Sequence, residues 1–173
     1  MKIFLLPLIT LILLVLQSVL TEVIPSTFLD GMLYIPHWPL VISIIVMIFY
    51  DREHSYVGLM NGLAFAILTD LTFTSILGVY LLGYGVSLYV IHLLKRVLHK
   101  NFLVSIVFVV LGVAIADLII FGVYFLIGQV MIGFQEYLTT RLVPTLIVNV
   151  IGLLILYPLT KPMLTKWKYE LEK

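Results

Sequence analysis

The chain has no cysteine, and only 11% of its 173 residues are charged. The first absence excludes disulfides, thiolate metal sites and a cysteine nucleophile. The second excludes a water-soluble domain, which keeps about 25% charged residues to solvate its surface. Catalytic and ligand-binding patterns are missing too. No Gly-rich loop is set to cradle phosphate, and Ser and Thr are scattered without a His-Asp set to activate them. His37 and His54 sit in loops without metal-ligand spacing, and His92 and His99 flank Lys95 and Arg96 as interfacial residues do. A net charge of +1 gives no pull toward nucleic acid.

What the chain does have is apolar length. Hydrophobic residues make up 62% of it, and the mean hydropathy is +1.20. Six apolar runs recur, at 3–20, 38–50, 56–73, 77–98, 102–128 and 139–161, each bounded by a charged or Pro/Gly-marked break. A hydrocarbon core of about 30 Å needs roughly 20 apolar residues per helix. The reading is all-α: one polytopic six-helix transmembrane bundle accounting for residues 1–173. The first run has no small-x-small cleavage pattern in Gln17-Ser18-Val19-Leu20 and is expected to be a retained helix. The second is short, and Pro36 and Pro39 bend or start the helix there.

Charge sets the orientation. With the N-terminus inside, Lys2, Arg52, Lys95, Arg96, Lys100, Lys161, Lys166, Lys168 and Lys173 all fall on the cytoplasmic side, and only Arg141 falls opposite. Positive residues in short loops stay cytoplasmic, so both termini are expected there. The tail after Lys161 mixes Lys, Glu and Trp167 and is expected to lie frayed along an anionic membrane surface.

Two groups of residues stand out within the runs. Gly58, Gly62 and Ala66 recur every four residues toward Asp70, a small-residue stripe suited to close helix packing or to a partner. Asp70 and Asp117 are carboxylates within apolar runs, at roughly 21 and 22 Å from the inner side at 1.5 Å per residue. Asn149 falls near the same level. Such residues face the bundle interior or water. Asp70 can cap the turn Thr72–Ser75, and Asp117 can bond Asn149 or a Tyr hydroxyl. Alternatively Asp70, Asp117 and Asn149 line one outward polar pocket with Tyr80 or Tyr84.

Tyr50-Asp51-Arg52, Gly58, Gly62-Leu63, Asp70-Leu71, Gly78 and Tyr84, with Pro144-Thr145, Asn149 and Tyr157-Pro158 before a basic tail, resemble the bacterial rod shape-determining protein MreD family. Ala66 stands where that family commonly has a further glycine. The resemblance implies a non-enzymatic subunit of the rod complex in the bacterial cytoplasmic membrane, without a cofactor, serving cell shape and lateral peptidoglycan synthesis. It implies pairing with the bitopic protein MreC, and through it with MreB filaments, RodA and a class B penicillin-binding protein. The family is similar in fold to the S components of energy-coupling-factor transporters, so a vitamin-binding S component is the alternative. Those subunits usually dock through an Ala-x-x-x-Ala face on the first helix, and the first run here has no Ala.

Overall fold

A computed structural model describes residues 4–23, 32–51, 55–95 and 101–171. Lys2, Asp30, Arg52, His54, Arg96, His99, Lys100 and Lys173 lie outside the described residues. All regular elements among the described residues are helical: α1 Leu5–Val23, α2 Trp38–Phe49, α3 Val57–Phe73, α4 Val79–Leu94, α5 Phe102–Leu126, α6 Phe134–Tyr137 and α7 Val143–Leu171. A π-helical turn, Leu138–Leu142, joins α6 to α7, so Phe134–Glu170 forms one continuous rod of 37 residues. Three of the six rods, α1, α5 and this last one, are long and apolar enough to cross a membrane. The bundle turns apolar side chains outward, among them Leu8, Ile12 and Val15 on α1 and Ile147, Ile151 and Ile155 on α7, while Asp51, Asp70 and Asp117 are buried inside it.

The last run differs from expectation. It starts before residue 139 and stays helical to Leu171, with Leu164 and Trp167 buried against the core. Those two side chains hold the tail in the bundle, so its described part is not frayed.

The core is built around α2, which packs against α1, α3, α4, α5 and α7. Every residue from Pro39 to Phe49 is buried, as expected of a helix apolar on all sides. Its 12 residues span only about 18 Å. It is preceded by the non-helical segment Met32–His37, a strap laid against α7. Pro36 and Pro39 keep that strap from joining the helix. Non-helical backbone surrounded by lipid or protein must find its hydrogen bonds within the protein, and the partners here come from the π turn and α7. Pro144 has no N–H for the Thr140 carbonyl one turn back. That freed carbonyl accepts from Leu33 N at 2.8 Å.

The small-residue stripe faces inward. A Cβ on Gly58 would come within 2.8 Å of Met47 N and Ser43 O, backbone atoms of α2. One on Gly62 would press on the Leu88 side chain of α4 and come within 3.2 Å of Ser43. Ala66, one turn on, is fully buried. These positions bring α3 into backbone contact with α2, the close approach that small residues permit.

Candidate functional site

Asp117, on α5, is fully buried at the centre of an ionic cluster. Arg141 donates to it through Nη2 at 2.9 Å to Oδ1 and through Nε at 3.3 and 3.4 Å to both oxygens. The Tyr137 hydroxyl donates to Oδ2 at 2.7 Å. Tyr137 and Arg141 come from α6 and the π turn, and Phe121 stacks on the Tyr137 ring with centroids 3.9 Å apart. A planar guanidinium grips a carboxylate through two nitrogens, which adds geometry to charge. Opposite charges at such distances offset much of the cost of burying either alone.

His37, at the end of the strap, joins this cluster from the other side. Its Nε2 lies 3.7 Å from Asp117 Oδ1, too long for a hydrogen bond but near enough for electrostatic attraction. Its Nδ1 lies 3.0 Å from the Tyr84 hydroxyl. With Tyr84 donating to Nδ1, a neutral ring carries its proton on Nε2, toward the carboxylate.

Asn149 anchors the strap. Its Oδ1 accepts from His37 N at 2.7 Å, while its Nδ2 donates to Ile35 O at 2.9 Å and Thr145 O at 2.8 Å. The side-chain amide thus pairs with the backbone on both sides of Pro36, as a neighbouring strand would. Thr145 Oγ1 accepts from Ile35 N at 3.1 Å, and Gln17 Oε1 on α1 accepts from Trp38 N at 3.2 Å.

Asp70 does a separate job. It accepts from Gly78 N, Tyr80 N and Leu81 N at 3.1, 2.9 and 3.0 Å, closing the N-terminus of α4. The residue at the cap position is Gly78, which has no side chain and a left-handed backbone, φ 97°. An acid from the preceding helix supplies the missing acceptor, and its charge also suits the positive end of the helix dipole. The expected cap over Thr72–Ser75 is therefore displaced to Gly78–Leu81, with Thr74 as a side contact at 3.4 Å. Among the described residues no hydrogen bond joins Asp70 to Asp117 or Asn149. Asp117 reaches Asn149 only through His37.

At the other end of α3, Asp51 accepts from Ser55 Oγ, Val57 N and Gly58 N, with Lys95 Nζ at 3.8 Å. Burial outweighs Lys95 and these donors and pushes the Asp51 carboxyl above its ordinary range.

A cavity beside the strap, where the outward polar pocket is expected, holds about 190 Å³ and is lined by Gln17, Ser18, Thr21, Thr69 and Tyr80 with Ile35, Pro36 and Phe73. Of the residues expected to line it, only Tyr80 does so. Asp117 and Asn149 are turned inward by their partners, and Asp70 by its cap. Among the described residues, no three His, Asp or Glu side chains converge as metal ligands do.

Sequence reasoning missed His37, Tyr137 and Arg141. One signal was available: Arg141 is the lone cation on its side of the charge count, and an isolated cation beside a membrane helix calls for a carboxylate.

Apolar helices turned outward around interlocked ionic groups define a multi-pass helical membrane protein whose polar residues bind one another. A family model described as rod shape-determining protein MreD matches residues 2–167. The rod shape-determining protein MreD of Bacillus subtilis (strain 168) is 30% identical over 157 residues, 90% of each chain. The chain belongs to the MreD family. No solved structure matches it.

Proposed function

We propose that this protein is a non-enzymatic, multi-pass subunit of the machinery that maintains cell shape, one membrane domain crossing the bacterial inner membrane six times with both termini in the cytoplasm. Its partner is an MreC-like bitopic membrane protein. Through that protein it acts with MreB, RodA and a class B penicillin-binding protein in lateral peptidoglycan synthesis. The observation that carries this reading is the family match over nearly the whole chain. The site agrees with a scaffold: both oxygens of Asp117, both polar atoms of Asn149 and both oxygens of Asp70 are engaged by the protein itself. The S-component alternative draws on the cavity beside the strap, but that cavity is lined by no charged residue and α1 has no Ala for docking.

The test is rescue of rod shape in a strain lacking its own MreD, together with co-purification of the MreC-like protein. Rescue with capture of that protein is expected. Uptake of a vitamin without any effect on shape would move the reading to transport.

A further inference from the structure

The rod ending in α7 is longer than a membrane is thick, and its Lys161 is held differently from Arg141 and Lys95. Arg141 has Asp117 at 2.9 Å and Lys95 has Asp51 at 3.8 Å. Half-buried Lys161 has no carboxylate within ion-pair distance among the described residues. Its ammonium is nevertheless held in place. It donates to the Tyr157 hydroxyl at 2.9 Å and lies over the Phe49 and Tyr157 rings, 5.5 and 5.0 Å from their centroids. Phe102, at the start of α5, packs edge-on to Tyr157 with centroids 4.9 Å apart and is 38% exposed.

Position matters as much as pairing. From Thr139 to Lys161 the helix rises about 33 Å, so Lys161 sits where a hydrocarbon core of about 30 Å ends. This is the basic end of the bundle, with Lys166 and Lys168 beyond it. Lys168 lies two turns further on nearly the same face of α7, whereas Lys166 projects elsewhere. A partly desolvated cation without a counter-ion is costly, and the anion available at that depth is a lipid phosphate.

We propose that Lys161, held over Phe49 and Tyr157 and flanked by Phe102, binds the phosphate of an anionic phospholipid headgroup at the basic end of the bundle. The ammonium uses one donor on Tyr157, leaving two for phosphate oxygens. Phe102, exposed beside it, faces the start of the acyl chains.

The test uses the full chain in nanodiscs of phosphatidylglycerol and phosphatidylcholine, extracted gently and weighed by native mass spectrometry. The wild type should retain phosphatidylglycerol over phosphatidylcholine. K161Q should lower that retention about tenfold or more, the weight of a hydrogen bond to a charged group, while K161R keeps it and K166Q lowers it far less. Equal losses in K161Q and K166Q would mean diffuse surface attraction and overturn the site, as would no loss in either. Displacement of the lipid by millimolar inorganic phosphate would assign the site to free phosphate instead and overturn the lipid. On the wild type alone, phosphatidylglycerol should raise the thermal midpoint more than phosphatidylcholine, and equal effects would also refute the proposal. A chain that keeps its lipid but fails to rescue cell shape would sink the functional reading and leave this one standing.

Discussion

Arg141 reaches Asp117 from the turn where its own helix widens, and the two meet at 2.9 Å inside a bundle whose outer faces are apolar. Removing either partner strands the other. Asp117→Leu or Arg141→Met should each cost about 3–5 kcal/mol, the usual loss when one half of a buried ion pair is removed. The double change Asp117→Leu with Arg141→Met should recover part of it, since an apolar pair of similar volume is often as stable, the remaining cost being the Tyr137 hydroxyl left without its acceptor. Unfolding in detergent, compared across the cycle, measures this. Additive losses would show that the pair is not coupled.

Asn149 should prove the more selective of the two inward polar residues. Asn149→Leu leaves His37 N and Ile35 O without their partners, and each stranded buried group costs about 1–3 kcal/mol. Asn149→Asp keeps the acceptor for His37 N and loses the donor to Ile35 O and Thr145 O. Hydrogen exchange at the Ile35 and His37 amides should accelerate strongly in the first variant. In the second it should accelerate less at His37. Unchanged exchange in Asn149→Leu would mean that the strap is held by other contacts.

The helices were legible because each is an apolar run closed by a charge or a Pro/Gly break, and lipid demands that pattern. The bounds of α2, α3 and α5 fall within two residues of the runs. The cluster was less legible because its members lie far apart in the chain. His37 reaches Asp117 across eighty positions, and only the strap explains how. Pro36 and Pro39 announced the break before α2, but nothing in their spacing says that Asn149 would bind the backbone across it. Asp70 was visible as a carboxylate near a turn. Its true partners, Gly78 to Leu81, depend on the left-handed Gly78 that folds α4 back over it.

Gly58 should tolerate less than Gly62. At Gly58 even a methyl group meets the α2 backbone, whereas at Gly62 the nearest atom is the end of the Leu88 side chain, which can move. Gly58→Ala should therefore cost about 1–3 kcal/mol, the usual range for overpacking, and Gly62→Ala less. Gly62→Leu should be worse than either, and Leu63→Ala mild. The stripe is internal, so loss of partner binding should follow loss of stability and not precede it. A Gly58→Ala chain that unfolds normally yet loses its partner would contradict this placement.

Asp70 and Asp51 close the N-termini of α4 and α3, so amide replacements should be milder than apolar ones. Asp70→Asn keeps an acceptor for part of the set Gly78 N, Tyr80 N and Leu81 N. It should cost about 0.5–2 kcal/mol, the range for a weakened helix cap. Asp70→Leu removes every acceptor and should cost more. Thermal unfolding ranks the variants, and equal costs would mean that charge, not hydrogen bonding, is what the cap supplies.

The proposed orientation rests on nine cations against one, and the absence of native cysteine makes it simple to probe. Single cysteines at Ser75 and Gln135, both exposed at the end of the bundle that holds Arg141, should react with an impermeant thiol reagent in intact cells. Cysteines at Ser55 and Lys166 should react only after the membrane is opened. The short α2 makes this test sharp. If the strap and α2 together did not carry the chain across, Ser55 would lie on the same side as the α1–α2 connection and label in intact cells. Arg52 would then have to sit outside, and the charge count, the basis for the orientation, would fail with it.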